Sequence, residues 1–352
     1  MFGQTLSTGI YWEYPSFLVD SPARYFQAGF GAERVVVAWQ ELVGEAADEA
    51  SGEVYISLRS SSDGTNWDEY PRAVGPFEYV GKEIRVYSLA VDEAGTAYIA
   101  LSADKDVVEI YRFASGADSL ERLAVLQMET TTVAPTVFVR SDGGLLLFAT
   151  QDTVTGSEQG LDVRTTSIVY SLSDSGIQWS TMEAFVDDET IRVSLHLLPR
   201  HAVLDEQDYV VFQALITDPV TNRQRNQIYL KKSTDSGVSW SPAARVTDFG
   251  EFIGVAQRQP DAFNNENASL HALEDRLVVT WERSIDSPRP QIYYAEIAPD
   301  GEFLANPEPV TNGVRTNRAP RAFSYGDRTY LLWFDNRAGA DHVILGVKSG
   351  IV

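Results

Sequence analysis

The chain reads as an all-β protein, a six-bladed β-propeller of four-stranded antiparallel blades, on three observations. Six short apolar β runs recur at near-even spacing, each is followed by a second β run and a tight turn, and no stretch carries a sustained helical period with caps. The apolar runs are Val35–Trp39, Ala97–Leu101, Leu145–Phe148, Tyr209–Phe212, Leu277–Trp281 and Tyr330–Trp333. Their centres lie about 59 residues apart, a blade-sized period that fills the 352 residues six times.

The second runs span 53–64, 107–116, 166–176, 226–237, 290–301 and 342–350. Most end in Asp-Gly, Asp-Ser-Gly or Ser-Gly, where glycine supplies the positive φ of a hairpin turn. Each repeat is therefore a small antiparallel sheet, and even spacing favours radial repetition over two stacked sandwiches. A seven-bladed ring would need one more repeat within the 40–53 or 214–226 segments, which read as polar loops. A propeller has to close its ring. The sixth repeat ends at its third strand, so an N-terminal strand over about 4–14 is expected to complete the last blade. Residues 1–352 are thus read as a single domain, and the abrupt ends suggest a piece of a longer protein.

Composition removes several classes of function. Lys plus Arg total 28 against 50 Asp plus Glu, a net charge of −22, which disfavours nucleic acid and anionic membrane surfaces as partners. At 44% apolar residues the chain can bury a sizeable core. There is no cysteine, so disulfides, thiolate metal sites and a Cys nucleophile are excluded. His196, His201, His271 and His342 lie apart, with no metal-ligand spacing, and no apolar run approaches membrane-spanning length. No cofactor is expected. Asp104-Lys-Asp106 and the acidic 45–53 loop could hold calcium through carboxylate oxygens, but neither has a calcium-loop pattern. The N-terminus has no basic region followed by an apolar one, and an extracellular or periplasmic bacterial setting is expected, the leader having been removed. Asn267-Ala-Ser269 is a formal glycosylation sequon.

Three hairpin turns share a pattern. Ser233-Thr-Asp235-Ser-Gly237-Val-Ser-Trp240 is a full S-x-D-x-G-x-x-W; Asp174, Gly176 and Trp179 keep all but the first position, where Leu172 stands; Asp63, Gly64 and Trp67 form a copy one residue shorter. Asp can accept turn N–H groups, Gly takes the positive φ, and Trp folds back as an apolar plug. The pattern resembles the Asp-box, or BNR repeat, of sialidase-superfamily propellers, in which these hairpins are structural.

For sialidases, that resemblance implies an axial pocket with three Arg on a carboxylate, a Tyr nucleophile activated by Glu, and an Asp acid. The nearest match to the family's first Arg motif is Arg318-Ala-Pro320, followed by Asp335-Asn-Arg337 and Asp341. By analogy Arg318 would hold a carboxylate, Asp335 and Arg337 would line the rim, and Asp341 would be the acid; Tyr87 with Glu83 is the candidate nucleophile pair. The match sits in the last repeat instead of the first, where Arg24-Tyr-Phe and Gln40-Glu41-Leu42 replace the motif. The catalytic set is incomplete. The expectation is therefore a non-catalytic propeller, a glycan- or protein-binding scaffold with its ligand near Arg24, Arg85, His196, Arg318 and Arg321. The alternative is an exo-sialidase-type glycoside hydrolase with an Arg-lined axial pocket.

Overall fold

A computed structural model describes residues 23–31, 34–43, 51–62, 66–68, 72–80, 87–129, 131–158, 161–186, 192–193, 199–218, 222–248, 263–284, 289–304, 307–311, 316–325, 328–336 and 342–348. All regular structure in them is β. The first sheet is β1 (Ala23–Phe30), β2 (Val35–Val43), β3 (Ser51–Ser61) and β4 (Arg72–Val80). The second is β5 (Tyr87–Val91), β6 (Ala97–Asp104), β7 (Val107–Phe113) and β8 (Glu121–Gln127); the third is β9 (Thr131–Val139), β10 (Leu145–Glu158), β11 (Leu161–Ser173) and β12 (Glu183–Ala184). In the fourth, β13 (Arg192–Val193) and β14 (Arg200–Leu204) both pair with β15 (Gln207–Thr217), followed by β16 (Gln224–Ser233) and β17 (Ala244–Arg245). The fifth holds β18 (Asn264–Ala272), β19 (Leu277–Ser284), β20 (Gln291–Ile297) and β21 (Glu308–Pro309), and the sixth β22 (Asn317–Tyr325), β23 (Arg328–Asp335) and β24 (His342–Lys348).

The sheets are antiparallel meanders, and the first strands of the first three sheets, like those of the fourth to sixth, pack on one another in turn, an arrangement consistent with a propeller. The apolar runs read from the sequence as opening each repeat are the second strands; a first strand precedes each. The 40–53 and 214–226 segments are not simply loops. Strands β2, β3, β15 and β16 run into them as extended hairpin arms. The proposed closing strand at about 4–14 lies outside the described residues.

The runs are continuously apolar, without alternation, because both faces of each sheet are covered. Leu145, Leu147 and Ala149 pack with Ala100, Val108 and Ile110 of the second sheet, whereas Leu146 and Phe148 pack with Val210 and Phe212 of the fourth. Five such cores join the six sheets in sequence order. Trp281 and Trp333 hold the same register in their sheets and donate from Nε1 to Asn265 and Asn317 Oδ1, at 2.8 and 3.1 Å. Tyr87 belongs to the core between the first two sheets, where burial pushes its hydroxyl well above the usual range. That gives it a packing role in place of the nucleophile role read from sequence.

The Asp-containing hairpins cap third strands. Ser233 Oγ accepts Gly237 N at 2.8 Å and donates to Asp235 Oδ1, while Asp235 accepts Ser239 N and Oγ at 2.8 and 2.6 Å. Gly237 has φ +87°, and a Cβ there would press on Leu172 at 3.2 Å. Trp240 packs on Phe148, Tyr170 and Phe185. The 174–179 copy differs from its sequence reading in two ways. Ser173, not Leu172, takes the place of Ser233 and accepts Gly176 N, so this turn is one residue shorter. Asp174 is 97% exposed and binds Arg140 Nη2 at 2.7 Å, not the turn amides. In the first sheet Trp67 bridges Ser61, and Asp63 and Gly64 lie outside the described residues.

Arg140 also donates to Ser236 O, and Ser141 donates to the fully buried Asp208, so both third-to-fourth-sheet contacts run through one turn. Burial alone would raise the Asp208 carboxyl, but the hydrogen bond and charge of His201, with two hydrogen bonds from Ser141, hold it below its ordinary 3.8.

Two outcomes are expected. Ser233→Ala should cost about 1–2 kcal/mol by stranding the Gly237 amide, read as a shift in urea midpoint at unchanged slope. Since the folded-state value of Asp208 is depressed, its stabilisation is present above the unfolded value and disappears as pH falls through the folded one. Asp208→Asn should therefore flatten the acid limb of stability below about pH 4.

Candidate functional site

First strands carry a recurrent irregularity. Bulges interrupt β1 after Arg24, β18 after Glu266 and β22 after Arg318, and a matching break occurs in the β9–β10 ladder. Ala134, Asn267 and Ala319 sit at these bulges with φ of 57°, 53° and 51°, a left-handed conformation that costs a non-glycine residue energy. The Arg318-Ala-Pro320 motif is one of these bulges.

Beyond the bulge, one register position faces the next sheet. Gln27, Ser88 and Ser269 occupy it, opposite Ala38, Ala100 and Thr280. Each accepts an amide from the following first strand: Leu89 N on Gln27 at 3.0 Å, Val137 N on Ser88 at 2.8 Å, Ala322 N on Ser269 at 3.4 Å. A second latch comes from the residue after each tryptophan position. Gln213 Oε1 accepts Asn267 N at 3.3 Å and Glu282 Oε1 accepts Ala319 N at 2.8 Å.

In the fourth and sixth sheets the first latch position holds Arg200 and Arg321, opposite Val211 and Leu332. Arginine has no acceptor and cannot make this latch. Together with Arg318, Gln213, Asn267 and Glu282 these residues line a cavity of about 260 Å³ between the fourth, fifth and sixth sheets. Three guanidinium groups face one carboxylate. Desolvation, then repulsion from Arg321, lowers the Arg200 guanidinium to about 10; its Nε is buried and makes no hydrogen bond. Arg321 is lowered by desolvation and partly restored by Glu282, and it donates Nη1 to Pro320 O at 2.8 Å. Neither Arg200 nor Arg318 forms a hydrogen bond or salt bridge with another described residue.

Glu282 is 6% exposed, and burial raises its carboxyl; hydrogen bonds from Ala319 N and Asn267 Nδ2 oppose the rise, and Glu266, directly opposite in register, adds to it. Glu266 is itself held by Asn226 Nδ2 at 2.7 Å. The arrangement concentrates positive charge in an acidic protein, where it can neutralise an anionic group beside a carboxyl that readily keeps its proton.

Of the residues expected from sequence, Arg318 and Arg321 come together here. Asp335 is buried opposite Asn317 and does not line the rim. The side chains of Arg24 and His342, and the whole of Glu83, Arg85, His196, Arg337 and Asp341, lie outside what is described. His201 bonds Asp208 between sheets, away from the cavity. Asn267 of the sequon is exposed at the cavity and donates its Nδ2 to Glu282. Asp104 closes its own turn by accepting Lys105 N. Sequence reasoning missed Arg200, Gln213 and Glu282. Aligning repeats on the second-strand tryptophans would have exposed Gln213 and Glu282, and aligning first strands would have paired Arg200 with Arg321.

No family model matches the chain, and no curated protein matches it. Solved structures do. The α-L-arabinofuranosidase of Fusarium graminearum in complex with arabinobiose is similar over 94% of this chain and 95% of its own, at 12% identity and TM-score 0.54. The Penicillium chrysogenum α-L-arabinanase complexed with arabinobiose is similar over 92% of each chain, at 13% and 0.51. An ulvan lyase from a new family of polysaccharide lyases covers 91% of this chain and 81% of its own, at 12% and 0.55. At these identities the likeness shows the fold.

Glu282→Gln supplies the residue found at the equivalent Gln213 and keeps an acceptor for Ala319 N. A raised carboxyl loses stability as pH climbs from its unfolded to its folded value. The Gln variant should therefore lose that part of the stability decline that sets in above the ordinary glutamate range of about pH 4, read by thermal melts across pH.

Proposed function

We propose that this protein is a carbohydrate-active enzyme that seats the carboxylate of an acidic sugar in the Arg200–Arg318–Arg321 cavity. The observation that carries this reading is the replacement of two amide-accepting latch residues by arginines, which with Arg318 put three guanidinium groups around a single carboxylate. Arg200 Nε is buried without a hydrogen-bond partner, a cost that an anion completing the site would relieve. A sugar carboxylate accepts the paired N–H donors of guanidinium in bidentate fashion.

Glu282 is the proton donor in this reading. Burial favours the protonated form of its carboxyl, and Asn267 and Ala319 N fix Oε1, leaving Oε2 to face a glycosidic oxygen. Glu266 is the second carboxylate of the pair that glycoside hydrolysis requires. The arabinofuranosidase, arabinanase and ulvan lyase that share the fold support glycan chemistry. The Asp-box hairpins support kinship with sialidases, and a sialoside is the narrower form of the substrate. The same reading takes six blades closed by the 4–14 strand, in a protein that works outside the cytoplasm.

A panel of aryl sialosides, glucuronides and arabinofuranosides, with acidic polysaccharides followed for reducing ends and for unsaturated uronic products, tests it. Turnover of an acidic member is expected, with Arg200→Gln and Arg321→Gln each lowering kcat/KM about 10- to 100-fold. Glu282→Gln should abolish turnover and retain binding. Turnover confined to neutral sugars, or an Arg200→Gln variant with full activity, would overturn the assignment. Tight binding without turnover by the native chain would reduce the protein to a glycan-binding module.

A further inference from the structure

The residue that follows each second-strand tryptophan position is polar in five sheets and aromatic in one. Gln40, Thr150, Gln213 and Glu282 are buried there, and Ser102 is half-buried. In the sixth sheet the position is Phe334, which is 45% exposed. Gln213 and Glu282 use this position to latch the next first strand, which a phenyl ring cannot do. Phe334 therefore leaves apolar surface in water at a position where four other sheets bury a polar side chain, a loss for stability alone.

Its surroundings suggest what it gains. Phe334 stands directly across the β22–β23 ladder from Arg318, a cavity-lining residue. Paired β-carbons in such a ladder lie about 4.5–5.5 Å apart. The strand end is held in place, since Asn336 N donates to Thr316 O at 3.3 Å and Thr316 N donates to Asn336 Oδ1 at 3.2 Å. The ring is thus an apolar surface on an anchored strand end beside the arginines of the cavity.

We infer that Phe334 is a sugar-stacking platform flanking the anion cavity, so that the ligand is an oligosaccharide whose neighbouring ring lays its C–H face on the phenyl. This rests on the acidic-sugar reading of the cavity and adds a second subsite to it. The carboxylate at Arg318 positions one residue, and Phe334 selects for a linked second one.

Calorimetric titration of glucuronic acid against a glucuronate-containing tetrasaccharide, and of sialic acid against sialyllactose, separates the two claims. Phe334→Ala is expected to weaken the oligosaccharide of the recognised pair about 3- to 10-fold and leave its monosaccharide unchanged, with Phe334→Trp retaining native affinity. Arg200→Gln should weaken both members. A Phe334→Ala variant that binds the oligosaccharide as well as the native chain does, or that weakens both members equally, overturns the platform while the cavity stands. If Arg200→Gln changes neither and Phe334→Ala still weakens the oligosaccharide, the cavity reading falls and the platform survives. No binding of either pair overturns both.

Discussion

The structure depends on amides that cross between sheets. A first strand has a paired neighbour on one side only, so its outward N–H groups would be orphaned where sheets abut. Gln27, Ser88 and Ser269 answer this by accepting the amide of the next first strand, and Gln213 and Glu282 add a second acceptor at the bulges. The apolar cores between sheets are large but non-directional. The latches fix how far one sheet is rotated and slid against the next, and hence where bulge residues stand.

That constraint sets where the arginine-lined cavity lies. At the position that accepts a neighbour's amide in the first, second and fifth sheets, the fourth and sixth sheets carry arginine, which cannot accept one. The bulges compress Asn267 and Ala319 into left-handed conformations, turning their amides toward Gln213 and Glu282. One carboxylate is thereby used twice, as a latch for Ala319 and as the acidic group of the cavity. Departures from a repeat's own rule, with the strain kept local, mark sites better than any single motif does.

The hairpins with the Asp pattern work at a distance from this cavity. They staple third strands and, through Arg140 and the His201–Asp208–Ser141 cluster, tie the third sheet to the fourth. Serine, not aspartate, is the common element of the two described copies, because its hydroxyl receives the glycine amide in both.

Much of the architecture was legible in the chain. Period-spaced apolar runs and glycine turns are local properties, so an all-β repeat of small antiparallel sheets could be read directly. Tyr87 and Asp335 were misassigned because their types are equally at home in a core, and burial is a property of packing, not of spacing. The sequence by itself determined which segments become strands, since propensity and turn chemistry act within a few residues. Tertiary structure alone decided that Arg200, about 120 residues before Arg321 in a chain with a 59-residue period, shares its cavity with it and with Glu282: the guanidinium groups meet only once sheet-to-sheet latches set the register between blades.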